Sequence, residues 1–106
     1  MANDKVLSYL GLATKAGKIQ SGEFSTEKSV KCGKAALVIV AEDASDNTKK
    51  KFKNHCIEKK IPLIEDFSKE ELGNPIGREE LKVLAVVDKN MAEKLISLYE
   101  NEKVTN

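Results

Sequence analysis

The chain has 106 residues, a length that favours one domain with a real hydrophobic core. Lys and Arg total 18 against 17 for Asp and Glu, so the formal net charge is only +1. No apolar run approaches the roughly 20 residues that a membrane helix needs, and the first residues lack the pattern of a signal peptide. Composition therefore argues against disorder and extreme charge, and we expect a cytoplasmic protein.

Charge is segregated along the chain, which the neutral sum hides. Residues 1–34 carry six lysines against three acids, and residues 45–60 carry six lysines against two acids. Residues 61–80 carry six acids against two basic residues. A protein with this pattern can have one basic face although its net charge is small, so the composition leaves RNA binding open.

Helices and strands alternate in the first half of the sequence. Apolar residues at helical spacing predict a first helix over 4–16. A short strand over 18–21 follows, and then a second helix over 23–32. The β-branched run at 36–41 is typical of a strand that is covered on both faces.

The alternation continues in the second half. The predicted elements there are a helix over 46–60 capped by Ser45 or Asp46, a strand over 61–64, a capping box over 68–71, a strand over 81–87 and a last helix capped by Asn90. Such alternation predicts an α/β fold, specifically a single three-layer α/β/α sandwich with a short mixed sheet. We expect this one domain to span 1–106, with its core at about 4–100 and a short polar C-terminal tail.

The two cysteines and the single histidine do not form a recognisable site. Cys32 and Cys56 are too few and too far apart for a disulfide framework, so we predict that both are reduced and buried. His55 adds one more potential ligand, which leaves a closed zinc site one ligand short. Because neighbouring helical residues point about 100° apart, His55 and Cys56 are also poorly placed as a base and its nucleophile. We predict no metal, no cofactor and no catalytic residue.

Acidic residues follow three of the strand-like runs. They are Glu42 and Asp43, Glu65 and Asp66, and Asp88. Carboxylates at strand ends can hold Mg²⁺, which keeps a receiver-like phosphotransfer domain open as an alternative. Acids are also common turn residues, and the sequence contains no glycine-rich phosphate loop. We therefore favour a protein without enzymatic activity.

The start of the second helix has the features of a phosphate site. Gly22 stands at that start, with Lys18 and Lys28 nearby. Free N–H groups at a helix start attract phosphate, and a glycine allows a ligand to approach the backbone closely. On these local features alone, a plain strand-to-helix turn remains the better interpretation.

Three pieces of sequence, in this order, resemble the kink-turn RNA-binding family of ribosomal proteins. They are the glycine at the second helix, the helix-ending Gly33 that leads through an apolar strand into Ala41-Glu42-Asp43, and the loop Leu72-Gly73-x-x-x-Gly77. The similarity covers about residues 5–99 and is greatest to the small bacterial ribosomal-protein-like members. The resemblance implies a monomeric protein that binds structured RNA, such as a sharply bent internal loop, in association with the ribosome.

The resemblance also implies which residues touch RNA. In the family the second helix enters a groove at sheared G·A pairs, and two loops flank the bulged nucleotides. The matching residues are Gly22, Glu23, Phe24, Ser25 and Lys28 in the helix, Glu42, Asp43 and Ala44 in the first loop, and Leu72, Gly73, Pro75, Ile76 and Gly77 in the second. Lysines expected near this face, where they would position phosphates, are Lys15, Lys18, Lys31 and Lys34.

One departure from the family concerns specificity. Kink-turn binders of the family commonly carry Asn and Glu where this chain has Phe24 and Ser25. Phe24 cannot hydrogen-bond a base edge, although it can stack on a base. RNA binding is therefore predicted, and recognition of a standard kink-turn is left open.

Two further surfaces have other interpretations. The lysines at 49–51 and 53 are interpreted as a solvated helix face rather than a primary RNA contact. The acidic stretch 61–80 suits a protein partner, so an adaptor that uses the same sandwich is an alternative function.

Overall fold

Helices and strands alternate along the chain in the computed structural model, which describes residues 4–104 and side chains as far as residue 101. The helices are α1 Asp4–Lys15, α2 Glu23–Lys31, α3 Asp46–Lys59, α4 Lys69–Gly73 and α5 Lys89–Val104, with a 3-10 turn at Asn74–Ile76. The strands are β1 Ile19–Ser21, β2 Leu37–Val40, β3 Leu63–Ile64 and β4 Val83–Val86. Every predicted element is present. Each predicted strand begins one or two residues before the observed one, and those over 36–41 and 81–87 also end one residue later.

The four strands form one mixed sheet in the order β1-β4-β2-β3. β4 runs antiparallel to both β1 and β2, with Ile19 opposite Val86 and Val40 opposite Val83. β2 and β3 run parallel, with Val38 opposite Leu63. The predicted mixed sheet is therefore confirmed.

Helices cover the sheet on both faces. α2 packs on β1, β4 and α3, whereas α1 packs on α5, which itself contacts β4. All residues of β2 and β4 are buried, as expected for continuous apolar runs covered on both sides. The predicted three-layer α/β/α sandwich is thus confirmed. No helix among residues 4–104 is long and apolar enough to cross a bilayer.

The sheet has two ends that differ in what they carry. At the first, which we name the loop end, β1, β2 and β3 finish and β4 begins. At the second, which we name the lysine end, β1, β2 and β3 begin and β4 finishes. The loop end consists of Gly22, residues 41–45 and residues 65–82, and the lysine end of residues 16–18, 32–36, 59–62 and 87–89.

Side-chain caps explain where three helices begin. Ser45 caps α3, since its Oγ accepts from the Thr48 N–H at 3.2 Å. The predicted capping box at α4 is confirmed, because Ser68 and Glu71 each accept a hydrogen bond from the other's backbone N–H. The predicted cap of the last helix is wrong: Asp88, not Asn90, accepts from the Met91 N–H, at 2.9 Å. Asp88 stands three residues before that donor, which is the favoured capping distance.

The two cysteines have different environments. Both are free, and Cys56 is buried as predicted. Cys32, however, is exposed, so its predicted burial is wrong. It follows the last residue of α2, where Ser29 and Val30 take the buried positions. Burial, together with the nearby charge of Glu65, raises the pKa of the Cys56 thiol to about 11.

Candidate nucleic-acid interface

The start of α2 is built by Gly22. Its φ of +93° lies in a region that residues with a side chain rarely adopt. Its N–H donates to the Val83 carbonyl at 2.9 Å, which fixes the start of α2 to the first residue of β4. No side chain described here caps this helix. Its first N–H groups can therefore donate hydrogen bonds to an anionic ligand.

Phe24 is the most exposed large apolar side chain described, at 80%. It lies one turn before Lys28 and two turns before Cys32, and the three residues line a shallow groove of about 440 Å³ on the outer face of α2. An exposed aromatic ring beside an ammonium group offers both a stacking surface and a positive charge. This combination is suited to a nucleic-acid base and its phosphate.

Hydrogen bonds bring the first predicted loop next to the start of α2. The Ala41 N–H donates to the Lys82 carbonyl at 2.7 Å. Lys82 directly precedes Val83, the residue that accepts the Gly22 N–H. Two adjacent residues at the beginning of β4 thus hold both segments at the loop end.

The second predicted loop is joined to the first by a carboxylate. Asp43 Oδ1 accepts from the Lys69 N–H, in the first turn of α4, at 2.8 Å. The Lys69 carbonyl in turn accepts from the Leu81 N–H at 2.9 Å. Asp43 therefore has a structural role, and the three segments predicted to touch RNA lie together at the loop end.

Two glycines determine the shape of the second loop. A Cβ on Gly73 would lie 2.7 Å from the Arg78 carbonyl oxygen, so there is no room for a side chain. The Arg78 N–H also donates to the Gly73 carbonyl at 3.0 Å. Gly77 ends the 3-10 turn with φ +85°, a left-handed conformation that favours glycine.

The other predicted loop residues divide into buried and accessible ones. Leu72 is fully buried and Ala44 is 6% exposed, so both pack in the core and shape the loops from beneath. Pro75 and Ile76 are half-buried and present apolar surface. Glu42 is exposed, and its carbonyl accepts from the Lys49 ammonium group at 2.8 Å.

The predicted lysines do not all lie at this surface. Lys28 lies on the exposed face of α2 beside Phe24. Lys18 lies at the lysine end, where its carbonyl accepts from the Val87 N–H at 2.9 Å. Lys15 is the last residue of α1 and Lys34 follows α2, so both lie toward the same end. Nine helical residues span roughly 13 Å, so Lys34 is distant from Gly22 along α2. The structure brings the loop segments together and separates these three lysines from them.

Glu27 forms a polar cluster that sequence reasoning missed. Its carboxylate lies 3.1 Å from Lys31 Nζ on α2, and 2.9 Å from Lys51 Nζ and 3.4 Å from His55 Nε2 on α3. The hydrogen bond from Lys51, followed by that from Lys31, lowers the Glu27 pKa from 4.5 to about 2. The sequence can predict the ion pair of Glu27 with Lys31, because the two residues are four apart on one helix. It cannot predict the contacts with α3, because these depend on which helices pack together.

The acids at the strand ends do not form a cluster. Asp66 Oδ2 accepts from the Tyr99 hydroxyl at 2.9 Å, and Asp43 is bonded to α4 as described. Asp88 lies at the lysine end, because β4 runs antiparallel to β2. Within residues 4–101, no group of three His, Cys, Asp or Glu side chains is placed to hold a metal ion.

Together, the fold and the site define a ribosomal-protein type of α/β/α sandwich, in which an uncapped helix starts between two short loops. The model of the ribosomal protein L7Ae/L30e/S12e/Gadd45 family matches residues 4–96, and the chain belongs to that family. The resemblance predicted from the three sequence pieces is therefore confirmed.

Two relatives share much of the sequence. The RNA-binding protein YlxQ of Bacillus subtilis is 45% identical over 89 residues, which cover 84% of this chain and 89% of that protein. The RNA-binding protein YlxQ of Enterococcus faecium is 41% identical over 96 residues, which cover 91% of this chain and 92% of that protein.

Two solved structures share the fold. A protein of unknown function from Bacillus halodurans superposes with a TM-score of 0.87 at 38% identity, covering 91% of this chain and 97% of that one. The 15.5 kD RNA-binding protein of Giardia lamblia superposes with a TM-score of 0.79 over 95% of this chain and 89% of that one. Its identity is only 23%, so it shows a shared fold and no more.

Proposed function

We propose that the protein binds structured RNA at the loop end, with the start of α2 inserted into the RNA. The observation that carries the proposal is that Gly22 and Ala41 are hydrogen-bonded to two adjacent residues, Val83 at the start of β4 and Lys82 directly before it. This arrangement supports a single surface made from the uncapped helix and two loops. The family membership and the name of the relatives, RNA-binding protein YlxQ, support the same proposal.

The residues of this surface would have separate roles. The first N–H groups of α2 and the ammonium group of Lys28 bind phosphates, as a helix start and a point charge. Glu23 and Phe24 face the bases. Pro75 and Ile76, which are half-buried, form an apolar wedge against an extruded nucleotide.

The proposed target is a kink-turn or a related bent internal loop. A surface fixed by backbone hydrogen bonds suits an RNA of defined shape, and RNA is recognised largely by shape and by splayed bases. Phe24 and Ser25 replace the polar pair that is common in kink-turn binders of the family, so base stacking takes the place of hydrogen bonding at this point.

The proposal extends to how the protein works in the cell. It acts as a monomer, by binding rather than catalysis and without a cofactor, on ribosomal or similar RNA in the cytoplasm. Sedimentation of the protein with ribosomal subunits would test the association with the ribosome.

A direct binding experiment tests the proposal. Fluorescence anisotropy compares a labelled kink-turn RNA with an unbent duplex of equal length, over a series of salt concentrations. We expect tighter binding to the kink-turn and, for about four to six phosphate contacts, a log–log salt slope of roughly −3 to −5. Equal and weak binding to both RNAs would contradict kink-turn recognition. Absence of salt-dependent binding to either RNA and to total ribosomal RNA would contradict RNA binding altogether.

A further inference from the structure

A second surface lies at the lysine end, opposite the proposed RNA site. An open groove of about 490 Å³ runs between the loop that follows α2, the end of α3 and the first turns of α5. Four exposed lysines line it, namely Lys34, Lys59, Lys60 and Lys89, against a single acid, Glu93. None of the four ammonium groups forms an ion pair with a side chain that the structure describes. The groove is therefore strongly positive, and none of its lysines is neutralised by a side chain that the structure describes.

The floor of the groove is aliphatic. Ala36, Ile61, Val87 and Ile96 are half-buried and line it between the lysines. No aromatic side chain is among the lining residues described. A ligand that fills this groove must cover apolar surface as well as meet positive charge.

Two of the four lysines occupy positions that local structure disfavours. Lys60 ends α3 with φ 58° and ψ 46°, a left-handed conformation in which glycine is the usual residue. Lys89 begins α5, at the positive end of the helix dipole, where a cation is disfavoured; the acid at this helix start is the cap, Asp88. Lys59, in contrast, lies in the last turn of α3, where a cation is favoured. Two residues at locally unfavourable positions in one groove are typical of a functional surface.

We propose that this groove binds an acidic segment of a partner protein whose carboxylates alternate with aliphatic side chains. The carboxylates meet the four lysines, and the aliphatic side chains cover the floor. RNA fits less well, because phosphates would leave the apolar floor in water and bases find no ring to stack on. Since the groove and the loop end lie at opposite ends of the sheet, the protein can hold RNA and this partner at once.

The test uses the full-length, ¹⁵N-labelled protein and a short synthetic peptide in which Glu and Asp alternate with Leu and Ile. We expect the amide signals of residues 34–36, 60–61 and 87–89 to shift on titration. The double variant Lys60→Glu, Lys89→Glu should weaken binding at least about tenfold, since it reverses two charges in contact with the ligand. The matched control is Lys50→Glu, Lys53→Glu, which reverses two exposed charges of α3 outside the groove and should bind normally.

Two further ligands test the same proposal on the unaltered protein. A peptide with Ser in place of Leu and Ile should bind at least about tenfold more weakly, because it cannot cover the floor. Equal binding of the Ser peptide, or preferential shifts of the same amides with oligouridine RNA, would overturn the proposal, as would no shift with the first peptide. Kink-turn RNA affinity, measured separately on the Lys60→Glu, Lys89→Glu variant, should be unchanged, so failure here does not bear on the loop end.

Discussion

The loop end and the lysine end of the sheet are organised differently. At the loop end, backbone groups are held in place: the N–H groups of Gly22 and Ala41 are bonded to carbonyls at and directly before the start of β4, and Gly73 leaves no room for a side chain. At the lysine end, an aliphatic floor is surrounded by lysines on flexible stems, which form no ion pair with a described side chain. A fixed backbone suits a ligand of defined shape, whereas flexible charges suit a ligand defined by its composition. Single substitutions at and between the two ends would test this difference.

The packing of Gly73 is the feature of the loop end most sensitive to a single change. In Gly73→Ala, the new Cβ would lie 2.7 Å from the Arg78 carbonyl oxygen and 3.0 Å from backbone atoms of Glu79 and Glu80. Backbone cannot move aside as a flexible side chain can, so we expect the free energy of unfolding to fall by about 2 kcal/mol. Urea denaturation followed by circular dichroism measures this loss.

Gly11→Ala is the matched control for that substitution. The Cβ would lie 3.9 Å from the Pro75 carbonyl oxygen, an ordinary contact, and Gly11 lies within α1. Alanine is favoured over glycine inside a helix by about 0.5–1 kcal/mol, so this variant should be as stable as the unaltered protein or more so. Equal stabilities for Gly73→Ala and the unaltered protein would show that the loop end is not rigidly packed.

Phe24 tests whether the loop end recognises bases. Removing its ring in Phe24→Ala should lower the affinity for kink-turn RNA by about 1–3 kcal/mol, the value of one stacked base, and alter the preference over unbent duplex. Ile57→Ala is the control, since Ile57 is also exposed, at 67%, but lies near the end of α3. Anisotropy with both RNAs measures the two variants. If Phe24→Ala and Ile57→Ala behave alike, the recognition surface lies elsewhere.

Lys28 tests the phosphate contact at the same end. Lys28→Ala should weaken binding to all RNAs by a similar factor and make the log–log salt slope shallower by about 1, because one phosphate contact is lost. Lys59→Ala removes the same charge from the lysine end and should leave the slope unchanged. A reduced slope for Lys59→Ala would mean that RNA reaches the lysine end, which would erase the proposed difference between the two ends.

The elements of the fold could be read from the sequence, because the signals are local. The β-branched runs around β2 and β4 and the capping box at Ser68 need no knowledge of tertiary structure. The sequence points to Asn90 as the cap of α5, but Asp88, which follows the strand, is itself a favoured capping residue and takes that role.

The arrangement of the site could be predicted only in part. The family resemblance identified the segments that meet at the loop end. The direction of β4, which takes Asp88 away from Asp43, is set by strand pairing and has no local signal. The same holds for Lys18 and Lys34, which are close to α2 in sequence but lie toward the lysine end. The contact of Glu27 with α3 also required knowledge of which helices pack together.

Glu27 connects α2 and α3, the two helices that run from the loop end to the lysine end. In the folded protein its pKa is about 2, below the ordinary 4.5, because Lys51 and then Lys31 hydrogen-bond the carboxylate. A depressed carboxyl pKa stabilises the fold fully above the unfolded pKa, and this contribution is lost as the pH falls from 4.5 toward 2. Glu27→Gln should therefore have a lower Tm than the unaltered protein near neutral pH, and the difference should shrink across that acidic range.

Thermal unfolding of the two proteins at a series of pH values between neutral and about 2 measures this effect. We expect it to be smaller than the effects of changing Gly73, Phe24 and Lys28, because the Glu27 carboxylate is solvent-accessible. Glu58→Gln is the control. It removes an acid of α3, and this acid forms no ion pair with a described side chain. Its Tm difference from the unaltered protein should be small at every pH. A Glu27→Gln difference that stays constant down to the lowest pH would mean that the glutamate acts by packing and not by charge. α2 and α3 would then be held together by packing alone, without the ion pairs of Glu27.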